Sequence, residues 1–243
     1  MAKTKSVYFC NNCGAESPKW IGRCPVCGEW NTYVEEVVST KSAAGGRGEF
    51  GTMEQSKVRP QRIDDIQITE ESRIDLGNGE LNRVLGGGLV RGSLVLIGGE
   101  PGIGKSTLIL QTVLALKGQK ILYVSGEESA RQLKLRAERI GGNAPDCYIV
   151  CETSLEDIFV HIRNVDPDIV VIDSIQTIAT SAMESSPGSV GQVRECAASL
   201  LKFAKQTNTP VLLVGHINKE GSIAGPKVLE HIVDTVLQFE GRS

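Results

Sequence analysis

The sequence has no run of eighteen apolar residues, so no segment is long enough to cross a bilayer as a helix. Its opening, MAKTKSVYFC, is basic but carries no apolar stretch ahead of a cleavage site, so it does not read as a signal peptide, and we expect a cytoplasmic protein. Strong charge of either sign is missing too. The net charge is −3 over 243 residues, without the basic excess of a dedicated nucleic-acid binder. No internal repeat is visible. The seven cysteines are an odd number in a chain with no export signal, which argues against a disulfide framework. Aromatic residues make up only 5%, yet Tyr8, Phe9, Trp20, Trp30 and Tyr33 gather in the opening segment.

What is present begins with CNNCGAESPKWIGRCPVCGEW at residues 10–30. Cys10 and Cys13 form one C-x-x-C pair, Cys24 and Cys27 another, and Gly14 and Gly28 follow at matched offsets. Four thiols so spaced can take the corners of a tetrahedron around a structural Zn²⁺. A glycine after each pair allows the positive φ that turns backbone amides toward sulfur. So short a segment buries too little surface to fold alone, and metal binding would supply the missing free energy, about 10 kcal/mol in small zinc peptides. Redox chemistry at a single C-x-x-C is the competing reading, but it needs one pair at a strand–helix turn rather than two pairs with matching glycines. Lys3, Lys5, Lys19 and Arg23 lie close enough in sequence to balance the thiolate charge. The aromatic cluster reads either as a stacking surface for single-stranded bases or as a small apolar shell around the metal; the need for burial favours the shell. Cys147, Cys151 and Cys196 stand among apolar residues and read as small buried hydrophobes.

Residues 1–35 are expected to be the zinc ribbon, 36–61 a Gly/Ser-rich flexible linker, and 62–243 the main domain. SLVLIG, KILYVSG, CYIV, DIVVID and PVLLVG are short apolar runs compatible with strands buried on both faces, and VLQF is a further strand near the end. Helical stretches alternate with them. In 129–140, Ala130, Leu133, Ala137 and Ile140 fall on one stripe that Gly141 stops, and 191–207 is a second long helix. This pattern predicts an α/β fold with a mainly parallel sheet and ligands at the carboxyl ends of its strands.

Gly99, Glu100, Pro101, Gly102, Ile103, Gly104, Lys105 and Ser106 match G-x-x-x-x-G-K-[ST] between an apolar strand and a helix, the context that phosphate binding requires. The amides and the helix N-terminus favour phosphate, Lys105 would hold the β- and γ-phosphates of ATP, Ser106 would ligate Mg²⁺, and Thr107 would touch the α-phosphate. A Mg²⁺–nucleotide site also needs a carboxylate at a neighbouring strand end. In DIVVID, Asp168 and Asp173 are separated by about 16 Å of strand, so only one can serve, and Asp173 is at the ligand end. Glu127, just beyond KILYVSG, is the candidate general base; Glu128 reads as a helix-dipole partner. His216 ends the PVLLVG strand and could bond the γ-phosphate.

Taken together, the four-cysteine ribbon and the segments LGGGLVRGSLVLIGGEPGIGKSTL, YVSGEES, VVIDSIQT and GHINKEGSIAGPKVLEHIVDT resemble the RecA-like ATPase family, specifically bacterial DNA repair ATPases with an N-terminal zinc ribbon. The resemblance covers nearly the whole chain. It implies a RecA-like P-loop core, a catalytic glutamate at Glu127, a γ-phosphate sensor at His216, and a homo-oligomer, a hexamer in the family. It also implies action on single-stranded or branched DNA in repair, by translocation or branch migration, with a recombinase or replicative helicase as protein partner. Residues 178–190 and 217–226 match the loops that line the DNA pore, with Lys219 and Lys227 as phosphate contacts. Read from the residues alone, the first loop has no basic residue, and INKEGSIAGPK carries one net positive charge, less than a strong phosphate binder shows. The family continues with a KNRFG motif and a Lon-protease-like domain, so the chain is expected to be a fragment. An ATP-gated module whose ribbon docks on a partner is the alternative to a motor, but a placed base favours hydrolysis.

Overall fold

The computed structural model describes residues 4–39, 62–65, 73–141, 146–216 and 229–240; side chains at 4–6 and 36–39 are not described. Most of the expected linker lies outside these residues, as do Lys219 and Lys227.

The opening segment forms a three-stranded antiparallel sheet in the order β2-β1-β3, from β1 (Thr4–Cys10), β2 (Glu16–Ser17) and β3 (Tyr33–Ser39). β3 continues past the expected boundary at residue 35 because it pairs along the whole of β1, from Cys10 opposite Tyr33 to Thr4 opposite Ser39. Alternation along β1 divides its side chains between two environments. Tyr8 packs with the cysteine cluster, while Val7 and Phe9 are buried in the same apolar cluster as Val190, Val193 and Ala197 of the main domain. Arg194 Nη1 donates to the Gly14 carbonyl at 2.9 Å across this seam.

Among the described residues the main domain has six strands, all paired in parallel, in the order β6-β5-β7-β8-β4-β9. They are β4 (Leu94–Gly99), β5 (Ile121–Ser125), β6 (Cys147–Cys151), β7 (Ile169–Asp173), β8 (Val211–His216) and β9 (Thr235–Phe239). The connecting helices are α1 (Gly79–Val84), α2 (Lys105–Ala115), α3 (Ala130–Ile140), α4 (Leu155–Val165) and α5 (Val190–Thr207). Strict alternation places Leu96, Leu122, Val170, Ile172 and Leu213 on the α4/α5 face, and Ile97, Ile121, Tyr123, Val171 and Leu212 on the α1/α2/α3 face. Each such aliphatic side chain contributes about 1.5–3 kcal/mol by leaving water, so the central strands hold the sheet. No described helix is long and apolar enough to cross a membrane.

Local signals set the helix ends. Ser129 and Gln132 form a reciprocal capping box at the start of α3, and Gly141 takes φ 77° at its end. Ser154 and Ser189 cap α4 and α5. On α3, Leu133 and Ala137 are buried as the stripe predicts, but Ala130 in the first turn is exposed. β6 departs from the expectation of a strand buried on both faces. It is an edge strand, and Tyr148 is 47% exposed. Of the three cysteines read as buried, Cys196 is buried, Cys147 is half-buried, and Cys151, at the exposed end of β6, is in solvent.

Candidate active site and metal centre

Register brings the predicted residues to one rim. Ser125 lies opposite Asp173, Asp173 opposite Val214, and Gly99 opposite His216, so the carboxyl ends of β5, β7, β8 and β4 form a continuous edge. The turn after β4 carries Gly102 and Gly104 at φ 76° and 105°, a left-handed geometry that admits glycine without strain. At Gly99 the constraint is space: a Cβ would come within 2.6 Å of the Phe239 carbonyl. Glu100, Pro101, Gly102 and Thr107 are exposed at the mouth, Ile103, Gly104 and Ser106 are half-buried, and Lys105 is buried at the foot of α2.

Lys105 Nζ donates to the carbonyls of Gly99 at 2.7 Å and Glu100 at 2.8 Å, and lies 3.3 Å from His216 Nδ1. Burial holds its pKa below the usual lysine range, against the opposing pull of Asp173 and Glu127. Beside it, Ser106 Oγ donates to Asp173 Oδ1 at 3.0 Å, and the Tyr123 hydroxyl donates to Asp173 Oδ2 at 2.5 Å. Burial, then the Asp173 charge, pushes the Tyr123 phenol far above its normal range, so it stays a donor. Asp173 lies at the rim beside Ser106, whereas Asp168, at the other end of the run, accepts from the Lys120 amide at 2.8 Å.

Glu127 is brought in by the turn after β5. A Cβ on Gly126 would overlap the Thr177 side chain, and the Gly126 amide donates to the Asp173 carbonyl at 2.8 Å, so this turn packs tightly against the end of β7. Ser174 Oγ then donates to Glu127 Oε1 at 2.6 Å, and His216 Nε2 lies 3.2 Å from the same oxygen. Burial opposes ionisation of Glu127, but Ser174, His216 and Lys105 outweigh it and hold the carboxyl below its ordinary range. Glu128 points elsewhere and pairs with Arg136.

Lys105, Ser106, Glu127, Asp173 and His216 therefore meet at one rim in two hydrogen-bonded groups, Lys105–His216–Glu127 with Ser174 and Ser106–Asp173 with Tyr123. Three members were not singled out from the sequence: Tyr123, Ser174 and Gln176. Gln176 Nε2 donates to the His216 carbonyl at 3.2 Å, while its Oε1 is buried without a partner among the described residues. The 178–190 loop does not hang free. Gln192, buried on α5, donates Nε2 to the carbonyls of Thr180, Met183 and Ser185 and accepts from the Thr180 amide at 2.9 Å. Glu156 adds bonds to Thr180 and Ser181.

In the ribbon the four Sγ atoms lie within 4.8 Å of one another. Cys10–Cys27 and Cys13–Cys24 are 3.7 and 3.5 Å apart. Sulfurs at the corners of a tetrahedron around zinc, at the usual bond length, are about 3.8 Å apart, so this set fits the ion. Gly14 and Gly28 take φ 72° and 78°, as expected, and their amides donate to the carbonyls of Cys10 and Cys24. Although burial works against it, the Cys24 thiol is drawn down to about 6, chiefly by the amides of Cys27 and Val26 and the Tyr33 hydroxyl. The apolar shell is only partly as expected: Tyr33 is buried in the cysteine cluster with Tyr8 packed against it, but Phe9 is buried against the main domain, and Trp20 and Trp30 are 52% and 67% exposed. Metal stripping is expected to abolish hydrogen-exchange protection across residues 4–39 while the six-stranded core keeps its own. Protection retained in metal-free protein would remove zinc as the staple.

A family model described as AAA domain matches residues 57–222, and one described as rubredoxin metal binding domain matches residues 8–35. Zinc and nucleotide binding follow from these matches. Among curated proteins, the DNA repair protein RadA of Bacillus subtilis is 55% identical over 99% of this chain and 53% of its own length. That of Pseudomonas aeruginosa is 50% identical over 100% and 53%, and that of Chlamydia pneumoniae 48% over 99% and 52%. The chain thus spans about half the length of the curated relatives it matches.

Proposed function

The chain belongs to the AAA-domain family, and from that premise and its likeness to RadA we propose that it hydrolyses ATP with Mg²⁺ in DNA repair, acting on single-stranded or branched DNA. The observation that carries this is the convergence of Lys105, Ser106, Glu127, Asp173 and His216 on one rim. A site that only bound nucleotide would have no need of a carboxylate held ionised beside the phosphate loop.

In this reading the amides after Gly99 and the start of α2 take the phosphates, and Lys105 leaves its carbonyl partners to meet the β- and γ-oxygens. Ser106 and Asp173 would hold Mg²⁺, which neutralises phosphate charge. Tyr123 keeps one Asp173 oxygen in place and Ser106 reaches the other. Glu127, oriented by Ser174, accepts the proton of the attacking water. His216 reports the γ-phosphate to the segment that follows β8, where Lys219 and Lys227 would touch DNA. The 178–190 loop, held by Gln192 and Glu156, would present a fixed surface to the same strand. Assembly as a homo-oligomer would repeat these modest charges around a pore, and a recombinase or replicative helicase would be the protein partner.

Turnover measured with and without single-stranded DNA over a series of salt concentrations tests this. Mg²⁺-dependent hydrolysis that DNA stimulates, with stimulation fading as salt rises, is expected. No hydrolysis under any condition would overturn the ATPase assignment, and turnover indifferent to DNA would remove the DNA half.

A further inference from the structure

Trp20 and Trp30 are the two tryptophans of the whole chain, and both lie exposed on the ribbon. The module's interior is filled without them: Tyr33 is buried with the cysteine cluster, and Tyr8, Ala15 and Ile21 pack against it. Two large aromatic faces in water on so small a unit require another explanation. Both rings reach the same spot. A Cβ built on Gly22 would be 3.6 Å from Trp20 Cη2 and 3.9 Å from Trp30 Cζ3, so the indoles close in over a floor that has no side chain.

The framework around them is stiff. Arg23 and Trp30 are bridged as antiparallel partners, and Arg23 Nε donates to the Gly28 carbonyl at 2.9 Å, which holds the guanidinium 5.8 Å from the Trp30 ring centre. Gly28 belongs to the second metal knuckle, so the metal site fixes this edge. Lys19 and Arg23 are exposed beside the rings, and neither forms an ion pair among the described residues. Rigid aromatic planes flanked by cations are what sequence-tolerant binding of single strands uses.

We propose that Trp20 and Trp30, over Gly22 and flanked by Lys19 and Arg23, form a stacking site for the bases of single-stranded DNA. The proposal rests on the DNA-binding reading above but assigns a contact outside the ATPase core. Glu29 adjoins Trp30 and offsets part of the positive charge. Stacking rather than phosphate attraction therefore carries the site, and its contribution is only weakly sensitive to salt.

Because no other tryptophan exists in the chain, intrinsic indole fluorescence reports on this face alone. The zinc-loaded chain is titrated with an oligothymidylate and with an abasic strand of the same length, and the anisotropy of each labelled strand is followed in parallel. Expected is quenching by the thymidylate in step with its anisotropy, little quenching by the abasic strand, and about a tenfold loss of thymidylate affinity in each of Trp20→Ala and Trp30→Ala, with zinc content unchanged. Anisotropy that rises without quenching would overturn the stacking site, leave DNA binding intact, and point to a protein partner for this face. Equal quenching by both strands, or unchanged affinity in both variants, would also overturn it. No rise in anisotropy at all would sink both this proposal and the DNA-binding reading.

Discussion

Glu127→Gln is expected to lower ATP turnover by about 10²–10⁴-fold while ATP binding stays within a few-fold of normal. The amide is nearly isosteric, and its oxygen can still accept from Ser174, so the turn after β5 should keep its place. What is lost is a base. In the native chain both contacts fall on Oε1, from Ser174 Oγ at 2.6 Å and His216 Nε2 at 3.2 Å, and no described residue meets Oε2, which is the oxygen left for water. Stopped turnover with retained nucleotide affinity is the signature to seek in steady-state kinetics and equilibrium binding. Ser174→Ala supplies a pH check. A carboxyl must be ionised to act as base, and Ser174 helps hold its pKa below the ordinary range. Removing the hydroxyl raises that pKa, so the acid limb of the rate profile should move to higher pH. Glu128→Gln, which removes a partner of Arg136, should leave turnover nearly intact. If Glu127→Gln kept full turnover and Glu128→Gln lost it, the two roles would be exchanged.

The parts of the site that could be read from the chain are those where a local rule suffices. The phosphate loop is a contiguous match in its strand–helix setting. Asp173 follows from strand length, since the other acid of DIVVID is one strand away from the ligand end. The knuckle glycines follow from the backbone each C-x-x-C turn requires. Tyr123 and Ser174 were not legible for a non-local reason. Tyr123 reads as one more aromatic on a core strand, and its role appears only because β5 and β7 are neighbours with Ser125 opposite Asp173. Ser174 carries no local mark in the sequence; its role appears only where Gly126 packs against Thr177 and brings Glu127 to its hydroxyl. CYIV shows less burial than its apolar run suggests, because a short apolar run looks alike at the centre and at the edge of a sheet. The expected shell of five aromatics asks more burial of Trp20 and Trp30 than the ribbon needs: with four cysteines placed to share a metal ion, both rings are left facing water.

Lys105→Ala should weaken ATP binding by about 10²–10⁴-fold, with turnover falling at least in proportion. The estimate comes from two hydrogen bonds to charged oxygens at about 1.5–3 kcal/mol each. The present geometry explains why the effect on stability should be small beside this. Lys105 is 3% exposed, and its ammonium is satisfied by the Gly99 and Glu100 carbonyls rather than by a full salt bridge. Burial disfavours its charge, as the lowered pKa records. Replacing it removes that desolvation cost along with the two bonds; the Glu100 carbonyl is at the exposed mouth of the loop, where water can take the bond, while the Gly99 carbonyl is buried. The desolvation cost removed offsets much of the lost bonding, so the melting temperature should fall only modestly while affinity collapses. Calorimetric binding together with thermal unfolding separates them. Lys105→Arg should also fail to bind tightly: the guanidinium is broader than the ammonium and must fit a buried channel between Gly99 and His216. Native affinity in Lys105→Ala would mean that the phosphates do not bind at this loop, and the roles assigned to Ser106, Asp173 and Glu127 would fall with it.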